Sequence, residues 1–166
     1  IDRMMAVMRR KSAQVREVSL VDAVFVDAVV DYVRTYTDRT HHGKEEGILF
    51  QALAGKRLTA EDRESMEALM EGHRWARRTV AELDAARQEY LGGKYLALQT
   101  ILEKLDALVG FFPGHFERED RAFFPASLAY LGAALIQLPP EEKQDLLALD
   151  RLTELSAALR RAYRGE

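Results

Sequence analysis

The stretch Thr40–Phe50, THHGKEEGILF, and its echo Gly114–Phe124, GHFEREDRAFF, decide how the rest of this chain is read. In each, a His is followed four and five positions later by two acids, and then by a bulky apolar pair. The first unites His41 with Glu45, Glu46 and Leu49–Phe50. The second unites His115 with Glu119, Asp120 and Phe123–Phe124. A His and a carboxylate about one helical turn apart project from the same side of a helix. Neutral imidazole beside carboxylate suits a borderline transition metal such as iron or zinc. The repeated block therefore predicts helices that carry a metal site.

Working outward, Gly and Pro are sparse and fall between long helical patterns, and no alternating strand pattern of useful length occurs. Residues 1–16 read as a helix. Asp22–Leu53 reads as a second, with Val24, Phe25, Ala28, Val29, Tyr32, Val33 and Tyr36 on one broad side. Gly43 and Gly47 lie inside it and weaken it by roughly 1 kcal/mol each relative to Ala. That cost inside a candidate site predicts tight packing there. Gly55 fits a C-cap. Thr59, with Asp62 after it, opens a third helix to about Tyr90, which Gly92-Gly93 breaks.

Tyr95–Leu131 is the fourth helix, with Leu98, Ile101, Leu105, Leu108, Phe112 and Phe116 at helical spacing. Pro113-Gly114 is expected to kink it just before His115. Pro139-Pro140-Glu141-Glu142 starts a further amphipathic helix to about Tyr163. Short connections make sequential helices antiparallel neighbours. The predicted fold is all-α: one domain over 1–166, a four-helix up-down bundle over about 1–131 and an additional C-terminal helix over about 139–164.

With 166 residues, 48% of them hydrophobic, the chain is long enough for one sizeable core. A net charge of -3 gives no basic excess to suggest nucleic acid or an anionic membrane surface. No run approaches the roughly 18 apolar residues that span a bilayer, and no signal peptide is visible. The absence of Cys excludes disulfides, thiolate metal sites and Fe–S clusters. A cytoplasmic location is the simplest expectation. The chain opens at Ile1 rather than Met, which reads as a trimmed protein or one domain of a longer one.

The four His can be sorted by facing, at about 100° per residue. His42 and Glu46 share a face with Ala28, Leu49 and Leu53. His41 points about 100° away, towards solvent, so His42–Glu46 is the expected inward pair and His41–Glu45 an exposed or supporting one. His73 sits on the stripe of Met66, Met70, Ala76, Val80 and Leu83. His115 lies at the edge of the stripe of Leu108, Phe112 and Phe123. Glu119 and Asp120 flank that stripe from opposite sides, and helical geometry alone does not separate them. Counting three back from each apolar pair selects Glu46 and Asp120.

A blander reading exists for each residue. A lone inward His is usually a hydrogen-bonded core residue, and Glu45/Glu46 beside Lys44 fit an ordinary solvated face. The run Phe111, Phe112, Phe116, Phe123, Phe124 fits plain core. Burying several carboxylates without a counter-charge, however, costs several kcal/mol. Three inward His and two inward acids on three consecutive helices favour a metal.

HHGKEEGILF, EGHRWARR and HFEREDRAFFP resemble the hemerythrin family, specifically the bacterial hemerythrin-like HHE cation-binding domains, over essentially Ile1 to Leu131. The resemblance implies a four-helix bundle with a non-haem di-iron centre bridged by two carboxylates. It implies His42, His73 and His115 as terminal ligands and Glu46 and Asp120 as bridges. Two departures stand out. Oxygen carriers have a second His on the third helix where this chain has Arg77, which cannot ligate. Glu45, Glu119 or water would then fill the place, and inward Arg77 is expected to pair with a site carboxylate. The family's first-helix His would lie ahead of Ile1, leaving the site incomplete.

The function this implies is binding two iron ions and reacting reversibly with O2, a related small oxidant or nitric oxide, for sensing, storage, detoxification or iron handling. An enzymatic role is not the leading expectation. Iron comes from the resemblance; spacing alone also permits zinc or manganese. A carboxylate-bridged di-iron oxidase or ferroxidase would need Glu-x-x-His pairs, which the sequence lacks. A helical signalling or interaction domain with an incomplete site is the other alternative. In that case the helix carrying the row Leu146, Leu149, Leu152, Leu155, Leu159 would dock a partner or mediate a homodimer, with fusion to a signalling domain a further expectation. Folding of that row back on the bundle is the preferred reading. The expected partner is a small ligand such as O2 or NO, without nucleic acid or membrane.

Overall fold

The computed structural model describes residues 2–131, which are helical apart from short connections, with no strand among the described residues. Four rods follow in order. Helix α1 is Asp2–Val18, and α3 is Ala60–Leu91. Helix α2 covers residues 23–54 and is composite: Ala23–Tyr32 and Phe50–Ala54 are α-helical, whereas Val33–His42 and Glu45–Leu49 are wound as wider π-helix. Helix α4 covers residues 97–131 in the same way, with a π-wound segment Glu119–Phe123 between Ala97–Arg118 and Phe124–Leu131. These ranges follow the pattern read from the sequence. The expected helix at about 139–164 lies outside the described residues.

The ends follow from local chemistry. The Asp22 carboxylate accepts the Phe25 N–H at 3.0 Å, and Thr59 Oγ1 accepts the Asp62 N–H at 3.1 Å. Each satisfies a donor that the first turn leaves open. After α3, Gly93 adopts φ +90°, a left-handed conformation open to Gly at little cost. Pro113 is accommodated inside Ala97–Arg118.

Helix α4 packs against α1 and α3, and α2 packs against α3, forming a helical bundle. The buried apolar residues divide into two blocks. The larger includes Met5 and Met8 of α1, Val29 and Val33 of α2, Leu83 of α3, and Ile101, Leu105 and Phe112 of α4. The smaller joins Leu49, Phe50 and Leu53 to Met66, Leu69 and Phe123. Side chains of this size contribute about 1.5–3 kcal/mol each when fully buried. Between the blocks, on α2, α3 and α4 alike, the buried residues are polar: Thr37, His42, Glu45, His73, His115 and Glu119. Two greasy ends therefore clamp a polar belt.

The winding differs between rods. Along α3 the buried positions Met66, Leu69, His73, Ala76, Val80 and Leu83 advance by threes and fours, as 3.6 residues per turn requires. Along α2 the buried positions Val29, Val33, Thr37, His42, Glu45 and Leu49 advance by four, four, five, three and four. The wide turns slow the rotation and shift which residues face inward.

The glycine expectation is overturned. A Cβ on Gly47 would meet nothing, and one on Gly43 only Asp38 O at ordinary contact distance. The close approach is at Gly72 of α3, where a Cβ would stand 3.0 Å from Cε1 and Nδ1 of His115 and from Cζ of Phe111. Gly72 is the residue that lets the α4 imidazole lie against the α3 backbone. No helix among the described residues is long and apolar enough to cross a membrane.

Candidate metal centre

His42, His73 and His115 are brought together: all three are buried, and each offers a ring nitrogen within 4.8 Å of the others'. A second group, with donor atoms equally close, is His41, Glu45 and Glu119. The groups abut. His73 Nε2 lies 3.2 Å from Glu45 Oε2 and 3.7 Å from Glu119 Oε1, and His115 Nε2 lies 2.8 Å from Glu119 Oε1. On the other side, His41 Nε2 is 3.4 Å from both Glu45 Oε1 and Glu119 Oε2. Glu45 and Glu119 thus stand between His41 and the three-imidazole group, each with its two oxygens turned to opposite sides.

The facing expected from ideal α-helix needs correction on α2. Glu45 is fully buried, while Glu46 keeps 31% of its side chain exposed. His41 turns towards Glu45 and Glu119 rather than to solvent. The reason is phase: Ala28, which anchored the expected face, is exposed while Val29 and Val33 are buried. The π-winding that follows delays the rotation so that Glu45 rather than Glu46 comes inward. On α4, Glu119 is fully buried and Asp120 half-buried, and Asp120 stands in neither donor group. A signal for this choice was present: His41–Glu45–Leu49 and His115–Glu119–Phe123 share one spacing, with identical residue types at the acid.

Glu46 has a different position. Its Oε1 takes the Nδ1 edge of His73 at 2.8 Å, leaving Nε2 facing the cluster. A carboxylate on the far nitrogen sets the orientation and tautomer of an imidazole whose near nitrogen is a ligand. Arg77 donates from Nε to Asp38 Oδ1 at 2.7 Å and from Nη2 to Glu46 Oε1 at 3.0 Å, the carboxylate pairing its inward position implied. Asp38 Oδ1 in turn lies 3.5 Å from His42 Nδ1.

The walls are aromatic. Phe50 stacks on His73 with centroids 5.9 Å apart, Phe111 on His115 at 4.8 Å, and Phe116 lies 5.3 Å from His41. The run expected to be plain core therefore also screens the polar belt from water. Such screening strengthens every charge interaction inside.

The donor atoms fit a cation. Both ring nitrogens of His42, both oxygens of Glu45, Nε2 of His73, Nε2 of His115 and Oε1 of Glu119 are buried without a hydrogen bond. Several lie at ion-pair distance from one another without a hydrogen bond between them, and the donor atoms of each group lie within 4.8 Å. A polar group left so in a protein interior costs roughly 1–3 kcal/mol, a cost that a cation bound at their convergence would relieve.

Protons partly answer that need. Burial disfavours charge on His73, yet Glu119, Glu45 and Glu46 around it outweigh this and raise its pKa to about 9. Burial and the parallel His73 ring, 3.9 Å from centroid to centroid, push His42 down to about 2. Burial raises the Glu45 carboxyl; it opposes ionisation of Glu119 too, but the His115, His41 and His73 rings hold Glu119 well below the usual carboxylate range. A cluster that holds a proton on His73 against burial has an electrostatic well for a cation.

A family model for the hemerythrin HHE cation-binding domain matches residues 64–164. That is more than half of the chain, and the chain belongs to this family of cation-binding helical domains. The match takes in α3 and α4 and continues past the described residues, so the α2 block HHGKEEGILF joins the site on geometry rather than on the match. No curated protein and no solved structure matches the chain.

Proposed function

We propose that this chain is a hemerythrin-like protein that holds two iron ions on an up-down bundle and binds or senses O2, a related small oxidant or nitric oxide. One ion would be held by His42, His73 and His115 and the other by His41, with Glu45 and Glu119 shared between them. The bridging role read from the sequence for Glu46 and Asp120 passes in this proposal to Glu45 and Glu119. Glu46 then orients His73 from outside, a role its 2.8 Å contact with Nδ1 supports.

The observation that carries the reading is the pair of buried carboxylates, each with His41 on one side and the inner imidazoles on the other. Iron, when bound, supplies the redox chemistry and the open coordination position for a small ligand. The residues supply neutral nitrogen and anionic oxygen donors, a fixed orientation for His73, and aromatic walls that exclude water. Iron fits this donor set, as imidazole and carboxylate are its usual non-haem partners.

Anaerobic iron(II) titration followed by exposure to O2 or NO tests the proposal. The expected result is two iron per chain by elemental analysis, with an optical change on ligand addition that evacuation reverses. A Glu119→Gln chain that still loads two iron would overturn the bridging assignment. A wild-type chain that takes up none would overturn the reading as a whole.

A further inference from the structure

The inner part of the cluster is closed: Glu45, Glu119, His42, His73 and His115 are each no more than 3% exposed. His41 on the far side keeps 21% of its side chain exposed, so it is an ion bound among the inner imidazoles that needs a route inward. A cavity of about 120 Å³ lies between α2 and α3, walled by Val33, Ala76 and Val80 and rimmed by Arg34, Asp38 and Arg77. His42 forms its inner end, fully buried, with both ring nitrogens unpartnered. Asp38 on the rim reaches His42 at 3.5 Å, and Glu46, partly exposed and joined to the rim through Arg77, reaches His73 at 2.8 Å. A single guanidinium, Arg77, bridges them.

We propose that this cavity is the port by which a divalent cation enters and leaves the cluster, with Asp38 and Glu46 as transit ligands and Arg77 as an internal cation that occupies the transit position. The proposal rests on the metal-binding reading above. Asp38 and Glu46 offer hard oxygen donors at the surface, and His42 and His73 offer nitrogen directly behind them, so an ion passes from carboxylate to imidazole without crossing an undressed apolar gap. Arg77 neutralises the two carboxylates while the port is idle, and its positive charge opposes an incoming dication. Arg34, at 3.0 Å from Asp84, adds a second positive charge to the rim. The port is therefore a passage with carboxylate donors, held shut by its own counter-charge.

Charge at the mouth of such a cleft alters association rates by tenfold or more. Stopped-flow mixing of metal-free full chain with cobalt(II) chloride reads the rate through the visible band of the bound ion, and elemental analysis reads the end point. Arg77→Gln is expected to load about tenfold faster and Asp38→Asn about tenfold slower. Both should finish at the wild-type metal content, and Arg77→Lys, which keeps the charge, should stay near the wild-type rate. A change of the same sign in Arg77→Gln and Asp38→Asn, or unchanged rates in both at full loading, overturns the port. Asp106→Asn, which breaks the exposed pair with Arg16, serves as a control for a general charge effect; a comparable slowing there also overturns it. If wild-type protein takes up no cobalt, the metal-binding reading falls and the port with it.

Discussion

Helix α3 and helix α2 present histidines to the same volume by two different windings. In α3, His73 sits in an unbroken run of 3.6-residue turns, and its inward position follows from Met66, Leu69, Ala76 and Val80 around it. In α2, two π-wound segments carry His41, His42, Glu45 and Glu46, and buried positions fall about one residue later than an α-helix would place them. Regular winding fixes one imidazole on a rigid rod. Wide winding lets a single stretch of α2 offer His41, His42 and Glu45 to the interior, more than an ideal helix face presents in so short a length. π-turns occur disproportionately at functional sites.

The comparison breaks most severely at its hub. His73→Ala removes the imidazole that touches both carboxylates and stacks on His42, and metal content by elemental analysis should fall to near zero. A chain that keeps two ions without His73 would show that α2 and α4 suffice.

The phase of α2 is tested by neighbouring acids. Glu45→Gln should abolish stoichiometric loading, whereas Glu46→Gln should keep the stoichiometry with affinity lowered about tenfold, as for loss of an orienting partner. The reverse ranking in iron titrations would restore ideal α-helical facing.

Protonation sharpens the contrast between His73 and His42. The folded, metal-free chain holds a proton on His73 up to about pH 9, while the ordinary value is 6.5. That stabilising contribution is complete below pH 6.5 and is lost as pH rises through about 9. A cation takes the proton's place, so loading between pH 6.5 and about 9 should release a proton from His73, and affinity should climb with pH across that window. His42 already stands neutral there, its pKa near 2, and should release none. Indicator-dye titrations of proton release during metal addition measure the difference.

Glycines of the two rods should respond with opposite signs. Gly72→Ala presses a methyl group on His115 and Phe111 and should cost about 1–3 kcal/mol in thermal or denaturant unfolding, with weakened metal affinity. Gly47→Ala meets nothing and should raise stability by up to about 1 kcal/mol. The smallest effect is expected at the start of the regular rod: Thr59→Ala removes the cap on Asp62 and should lower stability by about 1 kcal/mol without altering metal content.

Much of this was legible in the chain itself. Apolar periodicity, Thr59, Asp22 and the Gly92-Gly93 break define the helices, because these signals act within a few residues of where they stand. His73 could be assigned inward for the same reason, since a regular helix transmits facing along its length. The doubled His–acid block announced a cation site before any packing was known.

The choice between adjacent acids was another matter. Glu45 against Glu46, and Glu119 against Asp120, depends on a shift of one position, and no single residue in HHGKEEGILF or HFEREDRAFF dictates a wide turn. Local propensities select helix and set its ends; the three-dimensional packing of α2 and α4 against α3 decides how tightly that helix is wound. Gly72, an unremarked residue in the sequence, becomes decisive only when α4 lays His115 upon it. Arg77 has meaning only beside Asp38 and Glu46, from a different helix. Sequence alone determined the rods and the kind of chemistry they carry, since both are written in neighbouring residues. Which oxygen faces which nitrogen was settled by tertiary contact, since rotation about a helix axis is resolved only by what the helix packs against.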